Sequence, residues 1–479
     1  MSNNRIRLIA RLDVKGENVV KGVHLEGLRI VGKPETLSKK YYEEGIDEII
    51  YIDSVASLYG RNNLHNIVEK TAREVSIPIT VAGGIRNLDD IRNLLRAGAD
   101  KVAINTQAVK TPEFIQEAAK IFGSQCIVLS IPVLKGLGSK FEVYTDNGRE
   151  KTSLDPVEWA MQGQSSGAGE ILLTSIDKEG TYDGFDLELI DKITTHVSVP
   201  VVASGGAGKT KHLIECKNEC DVSGIAIASI LHYNKLQVSE IRSAITDSGI
   251  SVRNIPEKKS LYNNFTKQDV FVIDYGSSNL FSVIRGIEKI GVNAKIVTKP
   301  EELKFAEKII LPGVGTYSDS MDRLNNSGFT DALLESASDG KLVLGICLGA
   351  QLLLTRGLEY GDNKGLGLIP GEVVPIDTTT NVHKTRVPHV GWNRLDYNSE
   401  IGNKNNPILK NIPEKSEVYF VHSYKIMPDN KKYIISSCDY EGQKINAIVQ
   451  KDKIIGCQFH PEKSGYTGLN ILENILSLN

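Results

Sequence analysis

The sequence predicts an α/β protein in two parts, a TIM-type (β/α)8 barrel followed by a second α/β domain. Three observations lead there. Eight apolar, strand-length runs alternate with helical stretches through the first 255 residues. Part of that pattern occurs twice, so one half-barrel has a copy. A polar, aperiodic stretch at 256–268, opening on Pro256, then precedes a new apolar strand at 270. The limits are therefore 1–255 for the barrel, 256–268 for a linker and 269–479 for the second domain.

In the barrel, strands are expected at 6–13, 48–53, 78–83, 101–105, 126–131, 170–176, 200–205 and 222–229, each followed by a helix. A doubly wound open sheet is the alternative, and it accounts less well for the repeat. Pro78 to Gly84 answers Pro200 to Gly206, and Tyr51-Ile52-Asp53 answers Ser175-Ile176-Asp177. Ligands of parallel barrels sit at the carboxyl ends of the strands, where glycines and backbone N–H groups can cradle phosphate. Gly83 and Gly84 with Asn105 and Thr106 would form one such cradle, and Gly205 and Gly206 with Ala228 and Ser229 its counterpart. Two related cradles favour a ligand phosphorylated at both ends; the plainer reading is that the glycines permit tight turns. Strand parity points Arg7, Ile9, Arg11 and Asp13 into the barrel.

In the second domain, Val343 to Gln351 reads as an apolar strand running through Gly345-Ile346-Cys347-Leu348-Gly349 into a helix that carries Leu352, Leu353 and Leu354. A sharp elbow of this kind presents one side chain at a helix N-terminus, where partial positive charge favours thiolate. A lone buried cysteine is ordinarily inert packing. A second stretch, Gly456 to Lys463, supplies what a nucleophile needs: His460 to take the proton, and Glu462 two residues on to orient the imidazole.

Composition narrows the setting. A formal charge of -3 on 479 residues implies neither a nucleic acid nor an anionic membrane as partner. The N-terminus lacks a signal peptide's apolar stretch and no run is long enough to span a bilayer, so a cytoplasmic protein is expected. Its six cysteines show no disulfide framework, and Cys216 with Cys220 lacks the second ligand pair a metal site needs. Neither a metal nor a cofactor is expected.

The stretches around Cys347 and His460 resemble the class I, triad-type glutamine amidotransferases. That resemblance implies Cys347 as nucleophile, His460 as base and Glu462 as its orienter. It also implies oxyanion donors at the Leu311-Pro312-Gly313-Val314-Gly315 loop (Val314, Gly315) and at Leu348, with Gln351 in the glutamine pocket. Val387-Pro388-His389-Val390-Gly391-Trp392-Asn393 and Phe420-Val421-His422-Ser423-Tyr424 make it similar to the glutaminase half of imidazole glycerol phosphate synthase. The barrel resembles that enzyme's cyclase through Leu12-Asp13-Val14-Lys15, Val20-Lys21-Gly22 and the stretches 99–106, 169–177 and 203–208. For the barrel the resemblance implies Asp13 as a catalytic carboxylate, and a bisphosphorylated ligand held by Lys21, Gly83, Gly84, Asn105, Thr106, Asp177, Gly180, Gly205, Gly206 and Ser229. It further implies an ammonia gate of Arg7, Glu48, Lys101 and Glu170, and an interface involving Asp100, Lys463, Asn279 and Trp392.

Three positions depart from the cyclase pattern. Pro132 stands where the second catalytic carboxylate is expected, Glu179 keeps a charge but would move it outward, and Arg11 falls just below Asp13. An adjacent guanidinium keeps a carboxylate ionised, which suits an acid catalyst poorly. The leading expectation is therefore a glutaminase whose ammonia reaches a separate sugar-amidating enzyme, as for paralogues of surface-polysaccharide clusters. The stretches 22–29, 56–62 and 225–233 carry that likeness. The alternatives are a complete imidazole glycerol phosphate synthase, and a barrel that senses a phosphometabolite and controls the glutaminase.

Overall fold

A computed structural model describes residues 5–55, 64–136, 140–256, 269–276, 279–378, 385–397 and 406–478. Residues 257–268 of the expected linker and the stretch 56–62 lie outside the described residues. The chain divides into two compact units, the first taking in 1–120, 124–253 and 386–388, the second 121–123, 254–385 and 389–479.

In the first unit, β1 (Arg7–Lys15), β2 (Glu48–Asp53), β3 (Ile79–Ala82), β4 (Lys101–Ile104), β5 (Ile127–Lys135), β6 (Glu170–Ser175), β7 (Val201–Ser204) and β8 (Gly224–Ile227) form a closed, all-parallel barrel. β8 pairs with β1 to complete it. Strands buried on both faces read as continuous apolar runs, which is why they were visible in the sequence. The helices carry their own start signals. Asn87 accepts the Asp90 N–H at 2.9 Å to cap Leu88–Arg96, and Asp155 caps the proline-led helix Pro156–Ser165. Each such cap is worth about 1 kcal/mol.

Strand parity is as expected. One side chain from every strand, Ile9, Ile50, Ala82, Ala103, Val128, Leu172, Val202 and Ala226, meets in a dry layer across the interior. Two residues before Ile9 stands Arg7; two and four residues after it stand Arg11 and Asp13, all buried. The half-barrel repeat has a structural echo that the sequence reading did not contain. β1 and β5 both overshoot to nine residues and both continue into antiparallel hairpin strands, Asn18–Val23 with Glu26–Gly32 after β1, and Phe141–Thr145 after β5.

The second unit is built on a mixed sheet. Here β9 (Asp269–Ile273), β10 (Asn293–Val297), β11 (Lys308–Leu311) and β12 (Leu342–Ile346) run parallel, and β12 pairs in parallel with β17 (Ile454–Cys457). Beside it, β13 (His389–Arg394) and β14 (Glu417–His422) pair antiparallel, while β15 (Ile434–Tyr440) and β16 (Gln443–Lys451) extend the main sheet. One expectation is corrected. The helix after Cys347 is Leu348–Leu352 only; Leu353 is its cap, and Leu354 begins the strand Leu354–Gly357. A run of leucines fits a buried strand as well as a helix, and here packing chose the strand. Among the described residues, no helix is long and apolar enough to cross a membrane.

Candidate active sites

β12 and β17 are neighbours in register, Ile346 opposite Cys457, so the two stretches singled out in the sequence leave the sheet side by side. Cys347 itself has φ +53°, an unusual conformation for a residue with a side chain, and its N–H is fixed by the Cys457 carbonyl at 2.7 Å. The Leu311–Gly315 loop presses directly against this turn. A Cβ on Gly349 would lie 1.9 Å from the Leu311 carbonyl oxygen, and one on Gly313 would lie 2.5 Å from the Gly349 nitrogen. Both glycines are therefore required for Val314, Gly315 and Leu348 to share one corner. The Tyr275 hydroxyl donates to the Pro312 carbonyl at 3.0 Å and steadies the loop.

His460 Nδ1 lies 2.8 Å from Glu462 Oε1, and Cys347, whose thiol donates to the Val421 carbonyl at 3.8 Å, is close enough to act on the ring. Burial disfavours the charged ring, but Cys347 and Glu462 outweigh it and hold His460 well above the usual histidine range. The pair thus favours imidazolium beside sulfur. Gly286, on the helix Leu280–Lys289, lets Glu462 come this close: a Cβ there would stand 2.8 Å from Glu462 Cβ. Behind the ring, β13 and β14 set His389 opposite His422 at 3.0 Å. Burial, opposed by the Tyr424 carbonyl, holds His422 down at about 4, so it stays neutral next to His460.

Gln351 Nε2 donates to the Tyr424 carbonyl at 2.9 Å and to Gln458 Oε1 at 3.2 Å. The same corner holds a carboxylate that the sequence reading missed. Glu359 is buried, accepts the Tyr317 N–H at 2.6 Å two residues beyond Gly315, and is pushed up to about 7 by burial.

At the amino ends of the barrel strands, Arg7 bonds Glu48 at 2.8 Å and Glu170 at 2.5 Å, and Lys101 bonds the same two carboxylates at 3.0 and 2.6 Å. The four residues close an alternating ring. A second four-charge cluster lies above the dry layer. Asp13 accepts from Arg11 Nε at 2.9 Å and from Lys21 Nζ at 2.7 Å, and Glu179 accepts from Arg11 Nη1 at 3.3 Å and also from Lys21. Glu179 therefore does not carry its charge outward, as the sequence reading expected. It is 3 % exposed, because the two cations draw its carboxylate in. Burial would raise Asp13, but Arg11 and Lys21 together hold it far below the ordinary carboxylate range.

The cradles repeat each other in backbone detail. Gly83 and Gly205 have φ +98° and +100°, and a Cβ on either would strike the carbonyl of Asp53 or Ser175 at 2.8 or 2.6 Å. The turn reading of these glycines therefore holds, and Gly83, Gly84, Asn105 and Thr106 in addition line a cavity of about 190 Å³. Asn105 donates to the carbonyls of Ser130 and Tyr144, tying the cavity wall to the hairpin after β5. On the other side, Gly206 has φ +105° and Ser229 opens the short buried helix Ser229–His232. Asp177 accepts the Lys135 N–H at 2.7 Å, and a Cβ on Gly180 would sit 2.4 Å from the Gly22 carbonyl. Of the expected interface residues, Asp100 accepts the Ile79 N–H, Asn279 caps its helix, Trp392 lies edge-on to Tyr419, and Lys463 is in the 3-10 turn Pro461–Lys463.

Residues 7–237 match the family of histidine biosynthesis proteins, and residues 271–477 match glutamine amidotransferase class-I. Over 209 residues the chain is 62% identical to imidazole glycerol phosphate synthase subunit HisF of Legionella pneumophila, covering 44% of this chain and 98% of that protein. The chain belongs to the HisF family. It is 47% identical over 247 residues to HisF of Bacillus cereus (strain G9842) and 46% over 254 residues to HisF of Corynebacterium glutamicum (strain R). Each of these alignments covers 52% of this chain and 98% of the relative. A HisF-like cyclase domain is thus fused to a class I glutamine amidotransferase domain, as in imidazole glycerol phosphate synthase.

Within the HisF-like barrel, Pro132 lines the cavity beside Ser130 and Arg11. His232 is a supporting residue that sequence reading did not identify as such. Its Nε2 donates to the Arg11 carbonyl at 3.0 Å while Nδ1 accepts from the Tyr41 hydroxyl at 2.8 Å. Burial, helped by Lys21, lowers it to about 4, so it acts as a neutral brace under the charged cluster. The link joins residues far apart in sequence, and no local pattern signals it.

Proposed function

We propose that the chain hydrolyses glutamine at Cys347 and passes the ammonia to its barrel. The observation that carries this is Cys347 on a positive-φ elbow, near a His460 that is itself held by Glu462 at 2.8 Å. The thiolate attacks the carboxamide carbon, and the N–H groups of Leu348 and of the loop at Val314 and Gly315 receive the developing oxyanion. Protonated His460 gives its proton to the departing ammonia, and water activated by the then neutral ring cleaves the thioester to release glutamate. Gln351 and Glu359 recognise the substrate, the carboxylate of Glu359 taking the α-ammonium group.

That assignment has a pH signature. Because Glu359 titrates at about 7, glutamine binding weakens as the pH falls below 7 and Glu359 gains its proton. Glu359→Gln should raise KM for glutamine about ten-fold or more and remove this pH dependence, since a hydrogen bond to a charged group contributes about 1.5–3 kcal/mol. Steady-state kinetics from pH 6 to 8 will test it; an unchanged KM removes Glu359 from the pocket.

Arg7, Glu48, Lys101 and Glu170 form the proposed ammonia gate, and Asp100, Asn279, Trp392 and Lys463 are proposed as interface residues. Fusion on one chain keeps the source and the user of ammonia at high effective concentration. Glu170→Ala leaves Arg7 and Lys101 with one carboxylate between them, and should cost the barrel about 3–5 kcal/mol in urea unfolding of the full chain. A smaller loss would mean the ring is held weakly enough to open without help.

For the acceptor, the reading preferred is delivery to a separate sugar-amidating enzyme, with a phosphorylated ligand at the barrel mouth. What supports it is the pairing of Pro132 with an Asp13 locked between Arg11 and Lys21. The second reading, a complete imidazole glycerol phosphate synthase, is favoured by the HisF relatives at 46–62% identity. Supplying the ribulosyl-formimino substrate with ammonium salt separates them: robust formation of the aminoimidazole product overturns delivery.

A further inference from the structure

Arg11 spends its guanidinium unevenly. Nε bonds Asp13, and Nη1 reaches Ser204 at 2.9 Å and Thr174 and Glu179 at 3.3 Å. Nη2 makes no hydrogen bond among the described residues, although the side chain is 2 % exposed and lines the 190 Å³ cavity. Nη2 is therefore a charged donor open to the cavity, and its place in that wall leaves it available to an anionic ligand atom. The guanidinium cannot turn away: its other nitrogens are held by four side chains, and His232 holds its carbonyl.

The rest of the wall says what that ligand is. The cavity includes Gly83, Gly84, Asn105 and Thr106 of the first cradle and none of Gly205, Gly206 or Ser229 of the second. Its charged side chains are Arg11, Arg86 and Lys110 against Asp53 and Asp146, so negative charge is to be supplied from outside. Pro132, Ala82, Ala103 and Ile52 supply apolar wall in the same cavity.

We propose that this cavity binds a short phosphorylated acid, its phosphate on the Gly83–Gly84 and Asn105–Thr106 cradle and its carboxylate on Arg11 Nη2, with Pro132 against its carbon skeleton. The inference rests on the reading of the barrel as a phosphate-binding unit, and narrows it from a ligand phosphorylated at both ends to one phosphorylated at one.

Calorimetric titration of the full chain at fixed ionic strength tests it with two probes that differ only at the far end, 3-phosphoglycerate and glycerol 3-phosphate. The unmodified chain is expected to bind 3-phosphoglycerate at least about ten-fold more tightly, as for other hydrogen bonds to charged groups. Arg11→Met should abolish that preference and keep glycerol 3-phosphate binding. Should the loss of a buried cation unfold that variant, Pro132→Asp leaves Arg11 in place and sets a rival carboxylate in the same cavity, and it too should erase the preference. Thr106→Asp should weaken both probes. Equal binding of the two probes by the unmodified chain, or a preference that survives in Pro132→Asp, overturns the role of Arg11 and leaves phosphate binding standing. If neither probe nor inorganic phosphate binds, the phosphate reading fails and this inference with it.

Discussion

Cys347→Ala will lower glutamine hydrolysis by about four to six orders of magnitude, the scale on which removal of a nucleophile acts in triad hydrolases. The loss is this large because the remaining groups cannot substitute for sulfur. His460 and Glu462 sit behind the elbow, 2.8 Å apart, and serve only to move a proton and hold the ring. Glu462→Gln should cost less, since the His460 backbone keeps its place through its N–H bond to the Tyr419 carbonyl and through Ser464, which donates to the His460 carbonyl. It should also bring His460 down toward its ordinary range, because the Glu462 charge is one of the two groups raising it. The checks are glutamate release and the thermal unfolding of each variant. A folded Cys347→Ala protein that deamidates glutamine at the parent rate would remove the nucleophile, and with it the mechanism.

How much of this was legible in the sequence follows from the range of the interactions. The barrel strands were placed within a few residues of where they lie because a strand buried on both faces has a continuous apolar signature. Arg11 beside Asp13 was visible because the two are separated by the period of a strand. The hairpins after β1 and β5 were not visible: Glu26–Gly32 is largely exposed, and the buried positions of Asn18–Val23 and Phe141–Thr145 do not alternate cleanly enough to announce a strand. Leu354 was misplaced in a helix because an apolar run does not itself distinguish strand from helix. Glu359, His232 and Gly286 were missed for another reason. Each acts through a contact to a segment distant in the chain, and a single sequence carries no record of such pairs.

The barrel mouth supplies the second large effect. With the ribulosyl-formimino substrate and ammonium salt, the parent chain should close the imidazole ring poorly, and the double variant Arg11→Ala with Pro132→Asp should gain about 100-fold or more, the contribution of one positioned acid–base group. Both changes are needed for separate reasons. Proline at 132 has no exchangeable proton, so no rearrangement of the cavity lets it act. A carboxylate placed there alone would share the cavity with Arg11, whose guanidinium favours the ionised form. The same guanidinium occupies Asp13, and removing it leaves Asp13 with Lys21 alone, so its pKa moves back up toward the carboxylate range. Pro132→Asp by itself should therefore gain less than the pair, and Arg11→Ala by itself nothing. Product formation followed in all four proteins decides the matter: equal rates across the set would mean that ring closure here does not depend on the two positions at all.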